Sequence, residues 1–450
     1  MDKTTNRIKK IMLLSGDIAI LYLALWLTLA VRYGALPKKE IWQIHLLPFS
    51  IIYLIWILVF YIIGLYGLDL ARNNLAFFNT LFQAFVINSF IAITFFYLIP
   101  YFNIAPKTNL FLDSMISIIL VFAWRQAYNH LIKSTTFLSN VLIIGKTKEA
   151  EEIAEKIKKN PQFGYRIKKI VNYENIKLIF DLTDIITKKN IQTVVTAVNL
   201  HKHPDLMQNL YHCLPLKITL VDLPSFYEGI TGKVPISAIE EIWFLENLMS
   251  KRKNFFEIIK RVLDITFSVV FGLISLIFYP FVILVIKLDA PGPIFYKQKR
   301  VGQDGRIFSI TKFRTMVQDA EKDGIQWAKN NDTRVTRVGR FLRKVRLDEL
   351  PQLWNIIKGE MSFIGPRPER PEFVFGKNSI EREIHFYQIR HMVKPGLTGW
   401  AQIKFQYGAS LEDTIEKLQY DLYYLKNRSF ILDLSIMLKT IKIIFSAAGW

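Results

Sequence analysis

Cysteine is nearly absent from this chain. The one thiol, Cys213, leaves no intrachain disulfide and no cysteine-rich metal site, and reads as a small apolar core residue in a reducing compartment. Histidine is scarce as well: nothing resembles a metal-binding histidine pair, and His385 and His391 read as surface or core side chains. Acid is outnumbered, with 38 Asp and Glu against 58 Lys and Arg, so the net charge of +20 calls for anionic partners. No helix-turn-helix, zinc-finger or RNA-binding motif accompanies that charge, which argues against nucleic acid and for anionic membrane lipid and lipid phosphate. A cleavable signal peptide is not expected either, because the first apolar run is too long and no small-residue cleavage pattern follows it.

Apolar residues are plentiful. They make up 51% of the chain and raise the mean hydropathy to +0.22, too high for an ordinary soluble protein of this length. Four runs, at about 11–31, 46–66, 76–100 and 109–124, are each long enough to cross a bilayer as a helix. Asp17 and Asp113 lie within or at the edge of these runs and read as interfacial or interhelical hydrogen-bonding groups. Lys3, Arg7, Lys9 and Lys10 before the first run, and Arg125 and Lys133 after the fourth, place both ends on the cytoplasmic side.

Between about 138 and 235 the pattern alternates strand and helix: Val141 to Gly145, Glu149 to Lys158, Ile167 to Tyr173, Thr193 to Val198 and Leu216 to Val221. This predicts a small parallel α/β domain of Rossmann-like type. A Rossmann phosphate loop needs glycines at its first, third and sixth positions, whereas Gly145-Lys-Thr147-Lys-Glu-Ala150 keeps only the first, so the nucleotide site is lost or altered.

The most informative stretch runs from Arg343 to Pro368. Pro351 suits a first helical turn, and Leu350, Leu353, Trp354 and Ile357 repeat at helical spacing until Gly359 stops the run. Asp348 and Glu349 then stand at the positive end of a short helix, suited to act as a carboxylate nucleophile and a divalent-cation ligand, or simply to cap it. Arg367 lies between Pro366 and Pro368, whose rings restrict the backbone around a planar phosphate-binding side chain.

These residues, together with Lys260-Arg261-Val-Leu-Asp264, Pro291-Gly-Pro293, Lys312-Phe-Arg314, Lys394-Pro-Gly-Leu-Thr-Gly399-Trp-Ala-Gln402 and Tyr420-Asp421-Leu-Tyr-Tyr, closely resemble the catalytic core of the monotopic phosphoglycosyl transferases over about residues 255–446. The resemblance implies transfer of a sugar 1-phosphate from a UDP-sugar to undecaprenyl phosphate, starting exopolysaccharide, capsule or O-antigen assembly. Asp348 is then the nucleophile that forms an aspartyl phosphosugar with release of UMP, and Glu349 joins it in binding Mg²⁺. Lys312, Arg343, Arg367 and Asp421 are the implied substrate-binding residues. After Gln402 this chain reads Ile403-Lys-Phe-Gln-Tyr-Gly408, where many relatives continue with Asn and Arg, so the sugar is not inferred. A membrane-bound nucleotide-sugar epimerase or dehydratase and a non-catalytic scaffold are the competing classes; neither accounts for the Asp-Glu and Pro-Arg-Pro motifs.

Residues 265–286 hold no charged side chain, and as a fifth span they would carry the acid pair out of the cell, away from nucleotide sugars. Pro280 breaks the run, and the resemblance implies a re-entrant helix over 262–288. Lys251, Arg252, Lys253, Lys260 and Arg261 before it, and Lys287 after it, are expected at one anionic interface, and residues 251–314 hold 12 Lys and Arg against 4 Asp and Glu, a net of +8. The run from Phe430 to Ser446 predicts an in-plane amphipathic helix or a plain core helix. The expected architecture is thus an α/β membrane protein of the bacterial inner membrane. Residues 1–135 form a four-helix transmembrane bundle, 136–250 a nucleotide-binding-like domain with a regulatory or dimerisation role, and 251–450 a cytoplasmic catalytic α/β domain.

Overall fold

Each of the four apolar runs folds as one helix: α1 (Lys3–Tyr33), α2 (Lys39–Ile63), α3 (Leu75–Leu98) and α4 (Lys107–Lys133). The structure is a computed structural model that describes residues 3–66, 75–99, 107–133, 138–172, 181–249, 254–318, 320, 322, 332–376, 380–405, 408 and 410–445. It divides into two units, Met1–Thr231 and Gly232–Trp450. The stretches Ile11–Tyr33, Lys39–Ile63, Phe77–Leu98 and Thr108–Leu131 are long and apolar enough to cross a membrane. At 1.5 Å per residue the shortest spans about 33 Å, so this is a membrane protein. Leu54, Phe90, Phe111 and Ile119 point outward, while Phe49, Trp56, Phe60 and Phe85 fill the interior.

Lipid offers buried polar groups no partner, so they must find one across the bundle. Asp17 on α1 pairs with Arg125 on α4 at 2.6 Å, and Tyr53 on α2 donates to Asp113 on α4 at 2.8 Å. Both acids are interhelical partners, as expected. Arg125 departs from expectation: α4 continues to Lys133, so this arginine lies inside the helix, 2% exposed, and donates to the Leu65 carbonyl instead of flanking the span.

The middle segment forms a four-stranded parallel sheet in the order β2-β1-β3-β4. Its strands are β1 (Ser139–Ile144), β2 (Tyr165–Val171), β3 (Thr193–Thr196) and β4 (Thr219–Asp222). They alternate with α5 (Lys148–Lys159), α6 (Asp181–Lys188), α7 (Pro204–His212) and α8 (Leu223–Thr231). Val141 and Ile143 pack into one core and Leu142 and Ile144 into another, because successive strand residues face opposite sides. Thr147, in the place a phosphate loop would occupy, caps α5 by accepting the Ala150 N–H. Tyr173 lies outside the described residues.

In the second unit, Trp243 and Phe244 of α9 (Glu241–Phe244) are buried with Val301, Val374 and Tyr387, so the segment assigned by sequence to the end of the middle domain packs into the C-terminal core. Next come α10 (Asn254–Leu276) and α11 (Tyr279–Asp289), bent by 59° across Ile277 and Phe278. Pro280 lies in the first turn of α11 and has no N–H to offer the Leu276 carbonyl, so α10 cannot continue through it. A hairpin of β5 (Phe295–Val301) and β6 (Ile307–Phe313) follows, then α12 (Arg337–Lys344) and α13 (Leu353–Lys358). The chain continues through β7 (Ser362–Ile364), α14 (Pro371–Phe375), α15 (Ile380–Glu383) and β8 (Gly396–Thr398), which runs parallel to β7. It ends with α16 (Trp400–Lys404), α17 (Leu411–Asn427) and α18 (Phe430–Phe445). α18 buries Ile436 and exposes Ile431 and Leu434, so it is apolar on its core face and also on an open one.

Candidate active site

The motifs around the acid pair are its frame. Arg261 on α10 donates to the Ile356 and Ile357 carbonyls at 2.6 and 2.7 Å, satisfying C-terminal carbonyls of α13 that have no partner within the helix. Lys260 pairs with Asp433 at 2.6 Å, and Asp264 accepts the Phe363 N–H. The expectation that Lys260 and Arg261 face anionic lipid is therefore corrected, since internal partners occupy both side chains; Lys251, Arg252 and Lys253 lie outside the described residues. Arg314 donates to the Ala290 and Pro291 carbonyls and passes so close to Gly292 that a Cβ there would lie 2.2 Å from its Nη1. Gly292 also has φ +122°, a conformation open in practice to glycine alone. Asn355 on α13 donates to Ser309 O and Glu360 Oε2, both at 2.7 Å, tying the helix to the strand that carries Lys312.

Asp348 and Glu349 lie in a 3₁₀ turn, Leu347–Gln352, rather than in the first turn of an α-helix. Arg346, at φ +57°, precedes it, and both acids are 7% exposed. The turn treats its two carboxylates differently. Glu349 Oε1 accepts Lys312 Nζ at 2.9 Å and Arg367 Nη2 at 3.0 Å, and its Oε2 lies 3.5 Å from Arg346 Nη1. Among the described residues none donates a hydrogen bond to the Asp348 side chain.

Electrostatics follow from that split. Burial, and then the charge of Glu349, push the Asp348 carboxyl up to about 6, against the pull of Lys312, Arg343 and Arg367. Burial also works against the Glu349 anion, but Lys312, Arg367 and Arg346 together hold its carboxyl well below the usual range. Burial lowers Lys312, and Glu349 limits the effect; Glu349 raises Arg367. Four cations thus surround two carboxylates, leaving positive charge for an anionic ligand. The cluster opens to solvent at Arg367, whose side chain is 41% exposed.

Lys312, Arg367 and the acid pair meet as the sequence suggests, and Arg343 stands behind them with its Nε on Thr315 Oγ1 at 2.7 Å. Asp421 does not line the opening. It is 1% exposed and pairs with Arg390 at 2.8 Å, and it is Arg390 that reaches the Arg367 carbonyl, at 3.0 Å. The residue expected to bind substrate thus lies one layer behind the cluster rather than at its opening. Sequence reasoning passed over Arg346, whose i,i+3 spacing to Glu349 was available as a signal. It also missed Arg300, Asn355 and Arg390, whose carbonyl acceptors on Pro368, Ser309 and Arg367 are distant in sequence.

Residues 255–447 match the family model described as bacterial sugar transferase. A UDP-glucose:undecaprenyl-phosphate glucose-1-phosphate transferase of Xanthomonas campestris pv. campestris is 31% identical over 338 residues, covering 70% of this chain and 68% of that protein. The chain belongs to the bacterial sugar transferase family. A second member, the UDP-N-acetylgalactosamine-undecaprenyl-phosphate N-acetylgalactosaminephosphotransferase of Aeromonas hydrophila, is 43% identical over 241 residues, 53% of this chain and 55% of that one. An undecaprenyl-phosphate glucose phosphotransferase of Komagataeibacter xylinus is 40% identical over 186 residues, 41% of this chain and 35% of that one. This bacterial sugar transferase therefore spans about half or less of the length of those last two relatives.

Proposed function

We propose that this protein transfers a sugar 1-phosphate from a UDP-sugar to undecaprenyl phosphate through a covalent intermediate on Asp348. The observation that carries the reading is the division of labour in the acid pair: Glu349 holds Lys312, Arg346 and Arg367 in place, and among the described residues the Asp348 carboxylate is left without a hydrogen-bond donor. A carboxylate oxygen of Asp348 attacks the phosphorus bearing the sugar, the bond to the UMP oxygen breaks, and UMP leaves with the electron pair. A phosphate oxygen of undecaprenyl phosphate then attacks the same phosphorus, releasing Asp348 as carboxylate and yielding the undecaprenyl diphosphosugar. Lys312, Arg343, Arg346 and Arg367 offset the charge of the diphosphate in a site largely closed to water.

Mg²⁺ fits this donor set. The ion takes one or two protein carboxylates beside substrate phosphate oxygens, and Asp348 with the Glu349 Oε2 side supplies them without a dedicated cage. When bound it would neutralise charge on the diphosphate. The 59° break before Pro280 supports a re-entrant helix, which keeps the acid pair on the cytoplasmic face of the inner membrane beside the UDP-sugar. Initiation of exopolysaccharide or a related glycan is the matching role, with the parallel-sheet segment that ends at Thr231 regulatory or dimerising.

The test is UMP release by the purified chain in lipid nanodiscs with undecaprenyl phosphate, supplied separately with UDP-glucose, UDP-galactose and UDP-N-acetylgalactosamine. We expect one donor to release UMP and give a radiolabelled lipid product. Oxidation or epimerisation of the nucleotide sugar without UMP release would overturn the reading in favour of an epimerase or dehydratase, and no turnover of any donor would favour a scaffold.

A further inference from the structure

Three consecutive carbonyls of Pro366-Arg367-Pro368 are each held by a donor from a different part of the chain. Pro366 O accepts the Gly396 N–H at 2.9 Å from β8, Arg367 O accepts Arg390 Nη2 at 3.0 Å, and Pro368 O accepts Arg300 Nη1 at 2.9 Å from β5. Two of the donors are fixed by their own setting: Gly396 sits in the β7–β8 pairing, and Arg300 also donates to Gln298. Arg390 has a side chain that must be oriented. Asp421 does this at 2.8 Å, and the Tyr387 hydroxyl accepts from its Nη1. All three are buried, at 5%, 1% and 1% exposure, so they lie away from the opening at Arg367.

Resting on the proposed transfer reaction, we infer that Asp421, Arg390 and Tyr387 form a positioning brace: they touch neither substrate nor metal, and they act by fixing the backbone of Arg367 so that its guanidinium meets Glu349 and the incoming diphosphate. Proline on either side restricts the neighbouring φ angles, and the brace fixes the peptide between them. An arginine held in this way loses little freedom when it takes up a phosphate, and a displacement of about 1 Å can cost on the order of 100-fold in rate.

The experiment uses the full chain in nanodiscs with Asp421→Asn, Arg390→Lys and the milder Tyr387→Phe, which removes only a hydroxyl. With UDP-glucose and UDP-N-acetylgalactosamine as donors, kcat should fall roughly 10- to 100-fold for Asp421→Asn and less for Tyr387→Phe, with the Mg²⁺ concentration for half-maximal rate unchanged. In an Arg367→Ala background the same substitutions should cost nothing further, because the brace works through Arg367 alone. A rise in the Mg²⁺ requirement, or losses that multiply in the Arg367→Ala background, would overturn the brace and return Asp421 to the substrate or metal. A readout independent of turnover is phenylglyoxal modification of Arg367 mapped by mass spectrometry, which Asp421→Asn and Tyr387→Phe should accelerate several-fold over an exposed control arginine. Unchanged reactivity refutes the brace even if no donor is turned over, whereas faster reactivity without UMP release refutes the transfer reaction alone.

Discussion

Replacing Asp348 with Asn should remove the chemistry and stabilise the protein. Burial first, and Glu349 second, raise the Asp348 carboxyl from its ordinary value near 3.8 to about 6, so the ionised form is the disfavoured one in the fold. Between those two values the folded state holds a proton that the unfolded state has released, and stability falls as pH rises through that window. A displacement of roughly two pH units is worth about 3 kcal/mol, all of it carried as a penalty above pH 6. Asn has nearly the same shape and no charge to desolvate. For a unit of this size each kcal/mol moves Tm by about 2–4 °C, so Asp348→Asn should melt about 6–12 °C higher at pH 7.5 and close to the parent at pH 4. Differential scanning fluorimetry across that range gives the curve, and the same samples should show neither UMP release nor a trapped phosphosugar adduct. The reasoning fails if the variant melts lower at pH 7.5, or if its advantage is the same at both pH values. It also fails if the adduct forms on another residue.

The proposed nucleophile, Asp348, must be ionised to attack, so kcat/KM of the parent protein should fall as pH drops below about 6, with a slope near one on a logarithmic plot; a rate flat from pH 7.5 to 5 contradicts this. Glu349→Gln should lower activity and stability together, because Lys312 and Arg367 lose the charge that compensates them, at a cost of about 3–5 kcal/mol for a fully buried pair and less here because Arg367 is partly exposed. A melting curve with the parent as reference reads it directly. Gly292→Ala should destabilise the unit by at least about 1–3 kcal/mol, since φ +122° is strained for any other residue and Arg314 Nη1 occupies the place of the new methyl group; an unchanged denaturation midpoint would count against that. In a Cys213→Ser background, Lys287→Cys should resist a membrane-impermeant thiol reagent in intact cells and react once the membrane is opened. Labelling from outside would make the bent helix pair a span.

The long elements were legible and the site was legible in part. Unbroken apolar runs gave the four spans, and short apolar segments alternating with helical ones gave the parallel strands, because both signals are local and repeat. Trp354 shows where a local signal misleads. Helical spacing puts it on the buried stripe with Leu350, Leu353 and Ile357, but it is 58% exposed and Asn355 and Ile356 are buried instead. The turn before it is 3₁₀, with about three residues per revolution, so the phase of α13 is set by a tighter spiral than the one assumed. Arg390 and the true partners of Arg261 escaped notice for a different reason: each arginine acts on a carbonyl, 23 and at least 95 residues away, and a backbone acceptor leaves no trace in residue type.

That same blindness shaped the reading of charge. The stretch 251–314 carries a net of +8, which by sequence looks like a surface for anionic lipid. In the fold, Arg261 and Arg314 bind carbonyls, Lys260 and Lys312 bind carboxylates, and Arg300 holds Pro368. Five of the twelve basic side chains are therefore committed inside the unit. Since each basic residue near an anionic surface adds about 1 kcal/mol, the electrostatic attraction is smaller than composition suggests. Apart from Glu257 and Lys287, what remains at the surface of α10 and α11 is largely apolar: Phe255, Ile258, Val262, Leu273, Phe281 and Leu288 are all more than half exposed. Burying one such side chain is worth about 1.5–3 kcal/mol. On the proposed re-entrant reading the helix pair would meet lipid first through apolar contact, and five of the cations that made the segment look like a lipid-binding surface serve instead to build the frame around Asp348.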